Sequence, residues 1–210
     1  MVARGLCELR TNPAGLYAYA KAFAKGLAFA AHCRLFKPQV RIELPFFIYC
    51  GRIRISGPGA VEIGKGCSVF ANAFDRLSIV TATRDSRVTI GKGCDLGGVT
   101  IRCHDRVSIG EYCLFASCLI QDRLFMSDSR RRGNAPGLAM DESSGIRIGS
   151  RVWLAGLTVI LGGASVGDGA VVSVGSVLWN HGVAENHLAF GNPVRRSASI
   201  GRIEQFLAGR

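Results

Sequence analysis

No stretch of this sequence approaches the roughly 18 uninterrupted apolar residues of a membrane-spanning helix, although 48% of its residues are hydrophobic. A soluble globular chain is the expectation. Acidic residues are scarce, with 15 Asp and Glu against 26 Lys and Arg, which leaves a net charge of +11. Such an excess suits a nucleic acid, an anionic membrane surface or a phosphorylated ligand. Aromatic residues are only 8% of the chain and no basic run interleaves with them, so nucleic acid is not expected as a partner. The N-terminus lacks the ordered charged, apolar and small-residue regions of a secretory leader. No Cys-x-x-Cys pair or Cys/His spacing of a zinc site occurs among the eight cysteines, so no metal is expected. Eight thiols without such a pattern fit a reducing cytoplasm.

At 210 residues the chain suffices for one substantial domain, or one domain with a small appendage. Internal repetition organises it. Ile-Gly or Val-Gly recurs at Ile63, Ile90, Ile109, Ile148 and Val166, and Cys67, Cys94 and Cys113 share one slot of the repeated phrase. A small residue returning in one slot predicts an interior column in which reduced Cys acts as a small hydrophobe. From Ile148 the six-residue step is uninterrupted, with Leu154, Ile160, Val166 and Val172 opening successive blocks. One large aliphatic per six residues matches neither helical nor alternating-strand periodicity. It predicts short strands separated by turns, three to a triangular coil, with the aliphatics stacked inside and strand edges only at the two ends.

The phrases Ile148-Gly149-Ser150-Arg151-Val152-Trp153, Val171 to Val177 and Gly191-Asn192-Pro193-Val194-Arg195 resemble the closing coils of the hexapeptide-repeat acyltransferases. Within that family the sequence is most similar to acetyltransferases of sugars and surface polysaccharides, over roughly residues 50 to 197. The resemblance implies a mainly β fold, a left-handed parallel β-helix. It further implies acetyl-CoA as acyl donor, a sugar or sugar-lipid acceptor in polysaccharide biosynthesis, and a homotrimer whose CoA groove lies between subunits.

The ends are expected to be helical. Residues 1–40 form an N-terminal helical segment, 41–197 the β-helix with a loop insertion at 121–145, and 198–210 a short C-terminal helix. The N-terminal helix is read over residues 13 to 36, capped by Asn12 with Pro13 in its first position. Leu16, Tyr17, Ala20, Phe23, Leu27 and Ala30 form the stripe expected to cover the open end of the solenoid. Alternatively the segment is a basic amphipathic helix resting on the inner face of an anionic membrane. Residues 75 to 87 depart from the repeat and are expected to make a longer strand-and-turn excursion. The 121–145 loop carries Arg130-Arg131-Arg132, which is either a solvated run or a clamp for CoA phosphates or an anionic sugar.

Acetyl transfer needs a base near the acceptor hydroxyl, oxyanion donors and a groove for the pantetheine arm. By resemblance, small residues at Ala155, Gly156, Ser173, Val174 and Gly175 form the groove wall. Trp153 occupies the family's usual Trp position, and Arg195 meets the CoA phosphates. Coil geometry by itself also asks for small residues there. The family carries an Asp-x-Asp-x-His-like phrase before the loop, with His as general base. Here Asp122-Arg123-Leu124-Phe125-Met126 keeps the first Asp, but Met126 stands in the position of the His, and a thioether takes no proton. Either the protein is an inactive β-helix acting as a scaffold, or the base is displaced. Stacking Arg102 under Gln121 places His104 under Arg123, about 5 Å away by strand spacing. His104 is therefore the candidate base, oriented by Asp105 or Asp122. The alternative is a corner His that only hydrogen-bonds the backbone. His181 and His187 lie in a connector, and His32 answers a helix dipole.

Overall fold

The computed structural model describes residues 13–49, 52–70, 76–123 and 145–202. These build a parallel β-solenoid of three faces. The first face has seven strands, from Val40–Ile42 to Gly182–Val183; the third has six, from Arg52–Ser56 to Val177–Leu178. The second runs from Phe46–Ile48 to His187–Gly191 and ends on the antiparallel strand Val194–Ser199, eight strands in all.

The six-residue step becomes register. Ile42, Ile63, Ile90, Ile109, Ile148, Val166 and Val183 pair in sequence along the first face. Ile55, Ile79, Ile101, Ile120, Ile160 and Leu178 do the same on the third. Nearly all of these are buried, each burial worth about 1.5–3 kcal/mol. A one-residue slip would turn a whole column outward, which is why the repeat holds its phase.

The cysteine column forms as expected. Cys67, Cys94 and Cys113 are buried and unbridged, and each thiol donates to a glycine carbonyl one coil on: Gly91 at 3.2 Å, Gly110 at 3.3 Å and Gly149 at 3.1 Å. Cys118 and Cys103 fill interior corner positions. Burial, and for Cys103 the nearby Asp122 carboxylate as well, pushes both thiols up to about 12.

Helix α1 spans Pro13–Phe36, the range read from the sequence, and packs on the first coil; its cap, Asn12, lies outside the described residues. The face it buries differs from the expected stripe. Leu16, Tyr17, Phe23 and Leu27 are exposed, whereas Ala22, Gly26 and Cys33 are buried and Phe29 packs on the core. Close approach decides this: a Cβ on Gly26 would lie 1.7 Å from the Phe46 carbonyl oxygen. Only small side chains let the helix backbone sit that near the first coil. Aromatic contacts of Tyr19 and Phe23 with Phe47 flank the seam.

The segment read as an excursion is more regular than expected. Arg76–Thr81 is a six-residue strand in full register between Arg52–Ser56 and Thr100–Cys103. Among the described residues the departure lies in the turn that follows. At the C-terminal end, Val194–Ser199 folds back antiparallel on His187–Gly191, a strand not anticipated from the repeat. The C-terminal helix begins at Ile200 and is tied down by Ile200 N–H donating to Asn186 O at 2.9 Å. Its remainder, from residue 203, lies outside the described residues.

Candidate active site

The residues singled out for donor binding converge on the edge between the second and third faces. Trp153 points outward from the second face, paired between Leu114 and Val171, and is about half exposed. The chain then turns through Ala155 and Gly156, and one coil later through Ser173, Val174 and Gly175, with Gly175 N–H donating to Gly156 O at 3.0 Å. Arg195 is exposed beside Val194, which pairs with Gly191 at the same edge, and Gly191 N–H donates to Ser176 Oγ. In the four coils whose turn at this edge lies wholly within the described residues, it turns by a residue of positive φ: Gly98 (67°), Ser117 (54°), Leu157 (59°) and Gly175 (70°). A Cβ on Gly175 would meet nothing within 4 Å, so its smallness serves the backbone conformation rather than a close approach.

Leu157 was not singled out. A bulky side chain in the left-handed region is strained, and it stands 56% exposed among the small residues of this edge. With Trp153 and Val174 it makes an apolar ridge. The signal was present as a large residue in the slot filled elsewhere by Gly or Ser, but only the φ value shows its significance.

His104 lies at another edge, between the third and first faces. The register places it as expected: Arg102 pairs with Gln121, and Arg123 Nη1 lies 3.4 Å from His104 Nε2. A guanidinium has no lone pair to offer, so Nε2 is the acceptor in that pair. The imidazole is partly exposed.

The corner is held from both sides. The buried carboxylate of Asp122 accepts the His104 N–H at 2.8 and 2.9 Å and the Asp105 N–H at 2.6 Å. Ser86 Oγ donates to the His104 carbonyl at 2.7 Å, and Thr83 Oγ1 does so at 3.2 Å. These bonds of Asp122 run to the backbone, so they position the corner that carries the imidazole. Ser86 and Thr83, absent from the expected site, complete that frame. Asp105 is exposed beside His104. Met126 and Arg130 to Arg132 lie outside the described residues.

On one chain the two groups stay apart. From Val99 to His104 the chain crosses the third face, roughly 16 Å at about 3.3 Å per residue. The edge that carries Ala155, Gly156 and Gly175 and the His104 corner are therefore opposite margins of one sheet.

No protein-family model matches the chain, and no curated protein matches it. Solved structures do. A point mutant of AntD, an N-acyltransferase from Bacillus cereus crystallised with dTDP and coenzyme A, is 16% identical, with 80% of this chain and 91% of that one covered and a TM-score of 0.52. AntD with dTDP and 3-hydroxybutyryl-CoA aligns at 17% identity over 85% and 93% of the two chains, with a TM-score of 0.48. A hexapeptide transferase family protein from Anaplasma phagocytophilum aligns at 16% identity over 81% and 86%, with a TM-score of 0.43. At these identities the likeness is one of fold. It is the hexapeptide-repeat solenoid.

Proposed function

We propose that this chain transfers an acetyl group from acetyl-CoA to a hydroxyl or amine of a sugar or polysaccharide precursor, with His104 as the general base. The observation that carries the reading is the His104 corner, where a partly exposed imidazole rides on a backbone held by Asp122, Ser86 and Thr83. The acceptor O–H or N–H passes its proton to Nε2 as its heteroatom bonds the thioester carbonyl carbon. The C–S bond breaks, and the CoA thiolate leaves and takes up the proton. Arg123 must swing off Nε2 before the acceptor docks, which its exposure allows. Trp153, Ala155, Gly156, Ser173, Val174, Gly175 and Arg195 supply the donor wall. AntD, similar in fold, holds coenzyme A in its crystals, which supports this choice of donor.

Because wall and base are roughly 16 Å apart across one sheet, the reading includes a homotrimer in which a neighbouring subunit brings the two edges together. It also places the protein in the cytoplasm, with peripheral contact to the inner membrane face through α1. Calorimetric titration with acetyl-CoA and a CoA-release assay with sugar acceptors test the enzyme reading. Wild type should bind and turn over; His104→Ala should bind equally and lose about 10²–10⁴ in kcat. Absence of both binding and turnover in wild type would remove the reading.

Met126, in the position where the family resemblance implies a His, favours a second reading: a β-helix without a base that serves as scaffold or binding partner. The Met126→His variant separates the two. Turnover gained only with that change would mark a decayed enzyme, not one with a displaced base.

A further inference from the structure

A polar groove opens on the first face beside the His104 corner, lined by Arg84, Asp85, Ser86, Arg87, Arg106 and Ser108 among others. Strand pairing sets Arg87 directly against Arg106, about 4.8 Å apart, where like charges oppose each other. The fold does not ask for arginine in this column. One coil earlier the same position is Ala60, paired with Arg87, and on the other side Gly145 lies against Arg106. The small neighbours leave both guanidinium groups room at the surface. Arg87 meets Glu62 only at 3.9 Å, between side chains 56% and 44% exposed, a pair that compensates little.

Two residues further along, Thr89 and Ser108 form the next outward pair, so hydroxyls floor the groove beneath the arginine pair. Arg84 closes the turn above it. Asp85 also lines the groove, and three arginines against it leave the balance positive. Two opposed guanidinium forks over hydroxyls suit a divalent, multi-oxygen anion better than a single carboxylate, which one fork would satisfy. The groove adjoins the corner that carries the candidate base: Ser86, one of its lining residues, donates its hydroxyl to the His104 backbone carbonyl at 2.7 Å.

We propose that this groove binds the phosphate or diphosphate of a phosphorylated acceptor and so holds the acceptor's sugar against His104. The inference rests on the reading of His104 as base, and it narrows the acceptor to a phosphate-bearing one. The diphosphate could belong to a nucleotide or to a lipid carrier.

The test is calorimetric titration of the full chain with inorganic pyrophosphate, without acetyl-CoA. Saturable binding is expected, at least tenfold weaker in Arg87→Gln/Arg106→Gln and in the single Arg106→Gln variant. Arg54→Gln, on the third face, should bind as wild type does. Thermal midpoints of the groove variants should equal or exceed that of wild type, since a like-charge pair is relieved. Pyrophosphate binding that is absent, or that falls equally in Arg54→Gln, would overturn the proposal. Uridine diphosphate and a short-chain prenyl diphosphate, titrated separately, distinguish the two sources by which binds more tightly. The outcome is separable from the enzyme reading: loss of pyrophosphate binding with acetyl-CoA binding intact rejects this inference alone, and the converse rejects the acyl-donor assignment alone.

Discussion

Asp122 shows how one buried side chain can set a corner. Its carboxylate is 1% exposed and receives the backbone N–H groups of His104 and Asp105. Asp122→Ala would leave those donors without their charged acceptor, at a cost of about 3 kcal/mol. A lower thermal midpoint is expected, together with loss of turnover, because the imidazole would lose its frame. Asp122→Asn, which keeps one carbonyl acceptor, should fall between Ala and wild type. Here the sequence was partly legible. The six-residue step put His104 under Arg123, and the pair is found at 3.4 Å. What spacing could not show is that Asp122 addresses the backbone, since the same placement suits a carboxylate aimed at either the ring or the amides.

Among the elements, α1 was legible in extent but not in orientation. Its range follows from composition and the N-terminal Pro, yet apolar residues occur all around it, so the stripe from Leu16 to Ala30 chosen on the sequence was not the face that is buried. Gly26 decides the matter by contact. On helix propensity alone Gly26→Ala should stabilise by up to about 1 kcal/mol. The structure instead expects destabilisation, because the new Cβ would overlap the Phe46 carbonyl and backbone yields less readily than side chains. A thermal melt gives the sign. The cysteine columns make a second element-scale prediction. The six described cysteines are buried, so a thiol reagent at pH 8 should leave them unlabelled in the folded protein, whereas all eight react once it unfolds. Cys103 and Cys118 are held up to about 12, while an unfolded thiol titrates near about 8.5. Above that pH the unfolded chain loses protons that the folded one keeps. The stability these two thiols contribute should therefore be full below about pH 8.5 and decline as the pH rises toward 12, as chemical denaturation of wild type against Cys103→Ala/Cys118→Ala across that range would record.

For the molecule as a whole, exposed apolar surface is unevenly spread. Of 17 large hydrophobics exposed among the described residues, nine fall between Leu16 and Tyr49. Helix α1 turns Tyr17 and Leu35 outward, 69% and 76% exposed, and carries Lys21, Lys25 and Arg34 without an acidic residue. Exposed apolar side chains interspersed with cations suit the proposed contact with an anionic bilayer surface, and no helix among the described residues is long and apolar enough to cross one. The protein should co-sediment with phosphatidylglycerol vesicles and not with phosphatidylcholine vesicles, and high salt should weaken the association. Tyr17→Glu/Leu35→Glu should abolish it while leaving acetyl-CoA binding unchanged. Equal sedimentation of wild type and variant would exclude α1 as the contact.

The sequence by itself determined the solenoid, because a six-residue return of aliphatics is a local periodicity that forces stacked coils wherever it occurs. It also determined the thiol column and the coil that holds His104, since register follows once the step is known. Only the tertiary structure decided which helix face meets the first coil, how the chain doubles back at Val194–Ser199, that Leu157 stands strained on the edge between the second and third faces, and that Arg87 and Arg106 pair beside the His104 corner. Those outcomes depend on contacts between segments far apart in the chain, where van der Waals overlap and the pairing of distant backbones choose among arrangements that local periodicity leaves equal.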